Sequence, residues 1–214
     1  MNISREQLIL YAVTDRSWLN GRTLYEQVEE ALEGGTTLVQ LREKNMPDED
    51  FINEAVPIME LCHRYNVPLI INDRVNVAAG IHADGVHIGQ SDMDAAKARE
   101  ILGPDSIIGV TAKTVEQALK AQAEGADYLG SGAVFGTTTK SDAKPMDIDT
   151  LNAICDSVDI PVVAIGGINN DNVMKLSGSR IAGIAVVSGI FDNEDIKGAA
   201  QSLRAGVLNI ISGR

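Results

Sequence analysis

LILYAVTDR, Leu8–Arg16, decides between two folds. An apolar, strand-favouring run, Leu8–Val13, gives way abruptly to Thr14-Asp15-Arg16. In a doubly wound dinucleotide-binding sheet, the first strand feeds a glycine-rich turn, because the backbone must approach a pyrophosphate closely there. No glycine follows the strand here. The alternation that begins at this strand then repeats along the chain. Further strands are expected at Thr37–Leu41, Pro68–Ile71, Gly85–Ile88, Ser106–Val110, Asp127–Gly130, Pro161–Ile165 and Ile181–Val187.

Between the strands lie stretches of helical period. Thr23 and Glu26 have the spacing of a capping box, followed by Leu24, Val28, Ala31 and Leu32 on one face. Phe51, Ala55, Ile58 and Cys62 repeat after the acidic turn Asp48-Glu49-Asp50. Thr114 and Gln117 suggest a second box, and Leu151, Ile154, Cys155 and Val158 another apolar face. A short helix is expected near Val75–Ala79 and a last one near Glu194–Leu208. Eight strand-and-helix units in 214 residues predict an α/β fold, a single (β/α)8 barrel spanning 1–214.

The composition supports a soluble globular chain: 44% hydrophobic and 22% charged residues, with a net charge of −12. That charge disfavours nucleic acid and anionic membranes as partners. Anionic substrates would have to be held by local cations, backbone amides or a metal. The longest uncharged runs, Tyr128–Thr139, Ile160–Asn170 and Ile181–Phe191, contain glycine and are too short to span a bilayer. No export signal is visible at the start. Cys62 and Cys155 fit neither a metal spacing nor a disulfide framework, so two reduced packing residues in a cytoplasmic protein are expected.

Barrel enzymes carry their sites at the C-terminal ends of the strands. Gly166-Gly167 and Ser188-Gly189 follow strands seven and eight, where barrels often hold phosphate. The alternative is a pair of tight turns. Gly130–Lys140 is rich in Gly and Thr and ends in a lysine, yet it misses the P-loop spacing. Arg42 and Lys44 share side-chain parity and suit phosphate oxygens; a solvated loop with Glu43 as counter-charge is the plainer reading. Asp73 and Asp92 follow neighbouring strands and would together suit Mg²⁺ bridged to a diphosphate, or else each caps the helix after it. His63 is read as a solvated helix residue, and His82 and His87 as flanking strand four without a catalytic role.

Together, YAVTD (Tyr11–Asp15), QLREK (Gln40–Lys44), NDR (Asn72–Arg74), ADGVHIGQSD (Ala83–Asp92), VFGTTTK (Val134–Lys140), VVAIGGI (Val162–Ile168) and AVVSGI (Ala185–Ile190) resemble the thiamine phosphate synthase family. The resemblance runs in order along nearly the whole chain. It implies a transferase of thiamine biosynthesis on a (β/α)8 barrel. An aminopyrimidine methyl diphosphate would be joined to a thiazole phosphate, plain or carboxylated, giving thiamine phosphate and pyrophosphate. Mg²⁺ would assist departure of the diphosphate, and the thiazole nitrogen would capture a pyrimidine-stabilised cation. By position, the resemblance implies that Gln40, Leu41, Arg42, Glu43, Lys44, Asn72, Thr111 and Lys140 bind the pyrimidine diphosphate, with Lys140, Arg42 and Thr111 catalytic. Asp73 and Asp92 would bind Mg²⁺. Thr137, Thr138, Thr139, Gly167, Val187 and Ser188 would bind the thiazole phosphate.

The chain departs from the family where Thr111 replaces the usual serine and Lys113 a frequent histidine. The implied partners are small phosphorylated molecules; a homodimer stays open. Two rival readings are a thiazole tautomerase-like paralogue, which lacks the paired aspartates, and a non-catalytic phosphate-binding barrel, which would be expected to lose metal ligands or cations.

Overall fold

The computed structural model describes residues 2–136 and 145–213. Its eight parallel strands close into a barrel in sequence order, with β1 (Leu10–Val13) pairing both β2 (Leu38–Leu41) and β8 (Gly183–Val186). Between these run β3 (Leu69–Asn72), β4 (Gly85–Ile88), β5 (Ile107–Thr111), β6 (Tyr128–Gly132) and β7 (Val162–Ile165). The outer helices are α1 (Leu24–Glu33), α2 (Asp48–Arg64), α3 (Val75–Ile81), α4 (Ala95–Leu102), α5 (Val115–Ala123), α6 (Ile148–Ser157), the four-residue α7 (Ser188–Phe191) and α8 (Ile196–Ser212). The expected (β/α)8 barrel is therefore present.

Three local differences have physical reasons. Strand one begins at Leu10, because Glu6–Leu8 forms a 3₁₀ turn that carries Leu8 into the barrel interior beside Ile3. The connection from β7 to β8 contains a single 3₁₀ turn, Val173–Leu176, packed on α8. The Thr23–Glu26 box forms in full, but Gln117 at α5 reaches back to the Lys113 amide and only Thr114 caps the helix.

Strand side chains alternate between two cores. Leu10, Val39, Leu41, Ile71, Val86, Ile108, Ala164 and Ile184 face the helices. Tyr11, Val13, Leu38, Ile70, Ile107, Tyr128, Val163 and Ala185 fill the interior. This is the period of two that a pleated strand imposes. Two tyrosines dominate the interior, with ring centroids 5.9 Å apart at 75°. Their bulk requires an absence nearby: a Cβ built on Gly109 would lie 2.1 Å from Tyr128 Cζ and 2.3 Å from its hydroxyl oxygen. Gly109→Ala should therefore force the Tyr128 ring out of place and destabilise the barrel by about 1–3 kcal/mol, the scale of core overpacking. Urea unfolding measures this; wild-type stability would mean that the interior yields to the methyl.

Candidate active site

One cavity opens at the C-terminal ends of the strands. Gln40, Arg42, Asn72, His87, Thr111 and Lys113 line it from β2 to the end of β5, and Gly166, Gly167, Val187 and Ser188 line it from β7 and β8. The polar residues stand two positions beyond apolar ones on the same inner face: Gln40 above Leu38, Asn72 above Ile70. Alternation thus places a polar floor on an apolar plug. Across that floor Gln40 Nε2 donates to the Tyr11 hydroxyl at 2.6 Å, and the Tyr11 and Tyr128 hydroxyls lie 2.8 Å apart. His87 bridges the Tyr128 hydroxyl at 3.1 Å from Nδ1 and the Thr111 hydroxyl at 3.0 Å from Nε2. His87 lies within β4, on its inner face, rather than flanking the strand.

The turn after β1 fixes Arg42. The Thr14 hydroxyl accepts the Arg42 amide at 3.0 Å, and Asp15 Oδ2 accepts from Arg42 Nη1 at 2.9 Å. Asp15 also caps the 3₁₀ turn Arg16–Trp18 through the Ser17 amide. Burial raises the Asp15 carboxyl, but the bonds from Ser17 and the Arg42 charge outweigh it and hold it below the ordinary range.

The other members of Gln40–Lys44 are placed differently. Leu41 packs outward against the helix shell. Glu43 is buried and accepts from Arg16 Nε at 2.6 Å; burial raises its carboxyl despite that arginine. Lys44 is exposed and lines an adjoining depression with Arg16, Arg42 and Asp50.

Asp73 and Asp92 follow adjacent strands, since β3 and β4 pair with Asn72 opposite His87. Neither caps a helix by its side chain. The N-cap residues of α3 and α4 are Arg74 and Asp94, both without a side-chain cap bond. Asp73 has φ 60, held by its amide donating to the His87 carbonyl at 2.8 Å, while its carboxylate accepts from Asn72 Nδ2 at 2.6 Å. Asp92 Oδ2 accepts the Gly89 amide at 2.7 Å, closing the turn after β4. Among the described residues, no cluster of three or more His, Cys, Asp or Glu side chains could hold a metal alone.

At the β7–β8 rim, neither glycine has room for a side chain. A Cβ on Gly166 would meet Ala133, and one on Gly167 would lie 2.3 Å from the Gly136 carbonyl oxygen. Asn172 Nδ2 donates to the Gly167 carbonyl at 2.8 Å. Val187 precedes the one-turn α7, which Ser188 begins and whose Gly189 and Ile190 carbonyls accept from Asn193 Nδ2. A short extra helix after strand eight is a recurrent companion of barrel phosphate sites. Thr137, Thr138, Thr139 and Lys140 lie outside the described residues.

A family model for thiamine monophosphate synthase matches residues 10–190. The chain belongs to that family. Thiamine-phosphate synthase of Clostridium tetani is 54% identical over 91% of this chain and 93% of its own length. The enzyme of Ruminiclostridium cellulolyticum is 52% identical over 94% and 95% respectively. Among solved structures, thiamine phosphate pyrophosphorylase from Pyrococcus furiosus superposes with a TM-score of 0.89 at 41% identity, covering 97% of this chain and 98% of that one. KGPDC from Streptococcus mutans, at 14% identity and TM-score 0.68, shares the fold. The chain is accordingly an enzyme, a transferase of thiamine biosynthesis. No helix among the described residues is long and apolar enough to cross a membrane.

Within this synthase barrel, sequence reasoning assigned no site role to three groups at the cavity or directly behind it, Tyr11, His87 and Asp15, and none to Lys113 beyond its departure from the family. The signal for His87 was present, because it stands two residues after Gly85 on one strand face. The Asp15–Arg42 pair is a tertiary contact with no local pattern.

That pair makes a pH prediction. A carboxyl held below its unfolded value contributes stability that is present above the ordinary range, near ~3.9, and is lost as pH falls through the folded value. Asp15→Asn should unfold at lower urea than the wild type at pH 7. The gap should close in acid below the ordinary carboxyl range; a gap that persists there would remove the charge from the explanation.

Proposed function

We propose that this barrel joins an aminopyrimidine methyl diphosphate to a thiazole phosphate, plain or carboxylated, releasing pyrophosphate and giving thiamine phosphate. The observation that carries this reading is a cavity shared by two anion-suited arcs: Gln40, Arg42, Asn72 and Thr111 on one, and Gly167, Val187 and Ser188 on the other. Holding both substrates in one cavity converts a bimolecular encounter into a positioned reaction. Gln40 and Asn72 orient the pyrimidine. Arg42, Thr111 and Lys140 stabilise the charge that grows on the diphosphate as its bond to the pyrimidine methylene carbon breaks. The thiazole nitrogen then gives its lone pair to that carbon. Backbone amides at Gly167, Val187 and Ser188, with Thr137, Thr138 and Thr139, hold the thiazole phosphate.

Asp73 and Asp92 fit Mg²⁺: both supply hard oxygen donors on adjacent strand ends, neither is used as a helix cap, and Asp92 has committed one oxygen to the Gly89 turn. When bound there, Mg²⁺ supplies positive charge to a leaving diphosphate. This reading places the enzyme in the cytoplasm with small phosphorylated molecules as its partners, and the net charge of −12 argues against a nucleic-acid partner.

The test is product formation from the two substrates, with and without Mg²⁺; a chain that binds thiazole phosphate but releases no pyrophosphate would be a tautomerase-like or sensor barrel. Asn keeps the side-chain oxygen and tolerates the backbone of Asp73, but it is a poorer Mg²⁺ ligand. Asp73→Asn and Asp92→Asn should leave thermal unfolding without substrates nearly unchanged. Both should raise the Mg²⁺ concentration needed for half-maximal activity, with less than additive effects in the double variant. Ordinary Mg²⁺ dependence in both would remove the metal site. Lys140→Ala should lower kcat by roughly 10²-fold, the scale of a lost electrostatic stabiliser. An unchanged chemical step in single-turnover kinetics would make Lys140 a bystander.

A further inference from the structure

We propose that Tyr11 and Tyr128 are positioning residues: through one directed chain of hydrogen bonds they set which polar atoms Gln40 and Thr111 present to the pyrimidine diphosphate. The inference rests on the function proposed above. The chain crosses the cavity floor as Gln40, Tyr11, Tyr128, His87, Thr111, with steps of 2.6, 2.8, 3.1 and 3.0 Å. It joins β2, β1, β6, β4 and β5.

Counting protons gives it a direction. Both phenols are fully buried, and burial holds them protonated. Tyr11 accepts from Gln40 Nε2, and in the proposed direction its own proton goes to Tyr128. Among the described residues, the acceptor left for the Tyr128 proton is then His87 Nδ1, and in this direction Nε2 is the protonated nitrogen. Nε2–H donates to Thr111, and the Thr111 hydroxyl proton is left to point into the cavity. At the other end the Gln40 amide oxygen remains as an acceptor. Reversed, the chain would turn the Thr111 proton onto His87 and face an oxygen lone pair toward an anion.

The direction therefore matches a ligand with an amine at Gln40 and a phosphate at Thr111. Glycines hold the chain's geometry. Gly109 leaves room for the Tyr128 ring, and a Cβ on Gly130 would lie 3.1 Å from His87 Cε1. Phenylalanine would fill the same volumes as the tyrosines without a hydroxyl to satisfy, so packing alone does not account for them.

¹⁵N NMR of the imidazole in the ligand-free protein reads the tautomer directly. The wild type should show His87 with a protonated Nε2 and a bare Nδ1. Tyr128→Phe should change that signature and lower kcat/KM for the pyrimidine diphosphate about tenfold, the worth of roughly one hydrogen bond, with the thiazole phosphate KM unchanged. Tyr11→Phe cuts only the Gln40 end. It should raise the pyrimidine diphosphate KM severalfold and leave the His87 tautomer as it is. Thr111→Val combined with Tyr128→Phe should lose less than the sum of the two. A wild-type His87 protonated on Nδ1, an imidazolium, or fully additive losses would each overturn the proposal. If Tyr128→Phe does not fold, the wild-type spectrum and Tyr11→Phe decide. A wild type that makes no thiamine phosphate would refute the proposed function while leaving the tautomer measurement intact.

Discussion

Closure of the parallel ladder is the constraint on which the rest depends. Because β1 pairs with β8 as well as β2, all eight strands must end at one rim. A side chain's distance from that rim is then set by its position on the strand, and its direction by parity. Leu38 and Ile70 lie deep and must be apolar; Gln40 and Asn72, two residues on, reach the mouth. Four strands with this rule, β2 to β5, build one polar arc, and the turns after β7 and β8 build another. Neither arc needs a dedicated domain or a long loop to bring its members together.

The interior volume is a second constraint. Two phenol rings and an imidazole cannot share the barrel centre with full side chains at every inner position, and Gly109 and Gly130 are where space is released. A buried hydroxyl without a partner costs about 1–3 kcal/mol. The Tyr11–Tyr128 pair escapes that cost only by being linked to Gln40 on one side and His87 on the other. Packing and polar geometry are therefore coupled: a change that shifts a ring in the core also shifts the atoms on the floor of the site.

What was legible in the sequence was what is local. The Thr23–Glu26 box formed as its spacing implied, because both partners lie within one turn. The strand succession and the absence of glycine after Val13 sufficed for the barrel. Tertiary choices were less visible. Gln117 accepts the Lys113 amide rather than that of the cap residue Thr114. Arg42 and Glu43 are neighbours in sequence, yet Arg42 lines the cavity while Glu43 turns to Arg16, because strand parity separates them. Asp73 and Asp92 looked equally like caps, and only the positions at which α3 and α4 begin excluded that. Thr14 and Asp15 read only as the residues that follow a strand; their grip on Arg42 depends on β2 lying beside β1.

A chain with a net charge of −12 must attract two phosphorylated substrates against its own field. Its arrangement around Arg42 shows how. That guanidinium is paired with Asp15, so its long-range pull is largely cancelled while its direction is fixed. The remaining donors described on the two arcs are mostly neutral: amides, a threonine hydroxyl and backbone N–H groups. Such dipoles contribute little to distant attraction but act strongly at contact once water is displaced, where the effective dielectric is low. Recognition therefore resides in short-range geometry. The cost of bringing two anions together in one acidic barrel falls on the few groups able to carry positive charge at the mouth. That is the physical reason why a cation held by Asp73 and Asp92 would serve the proposed reaction.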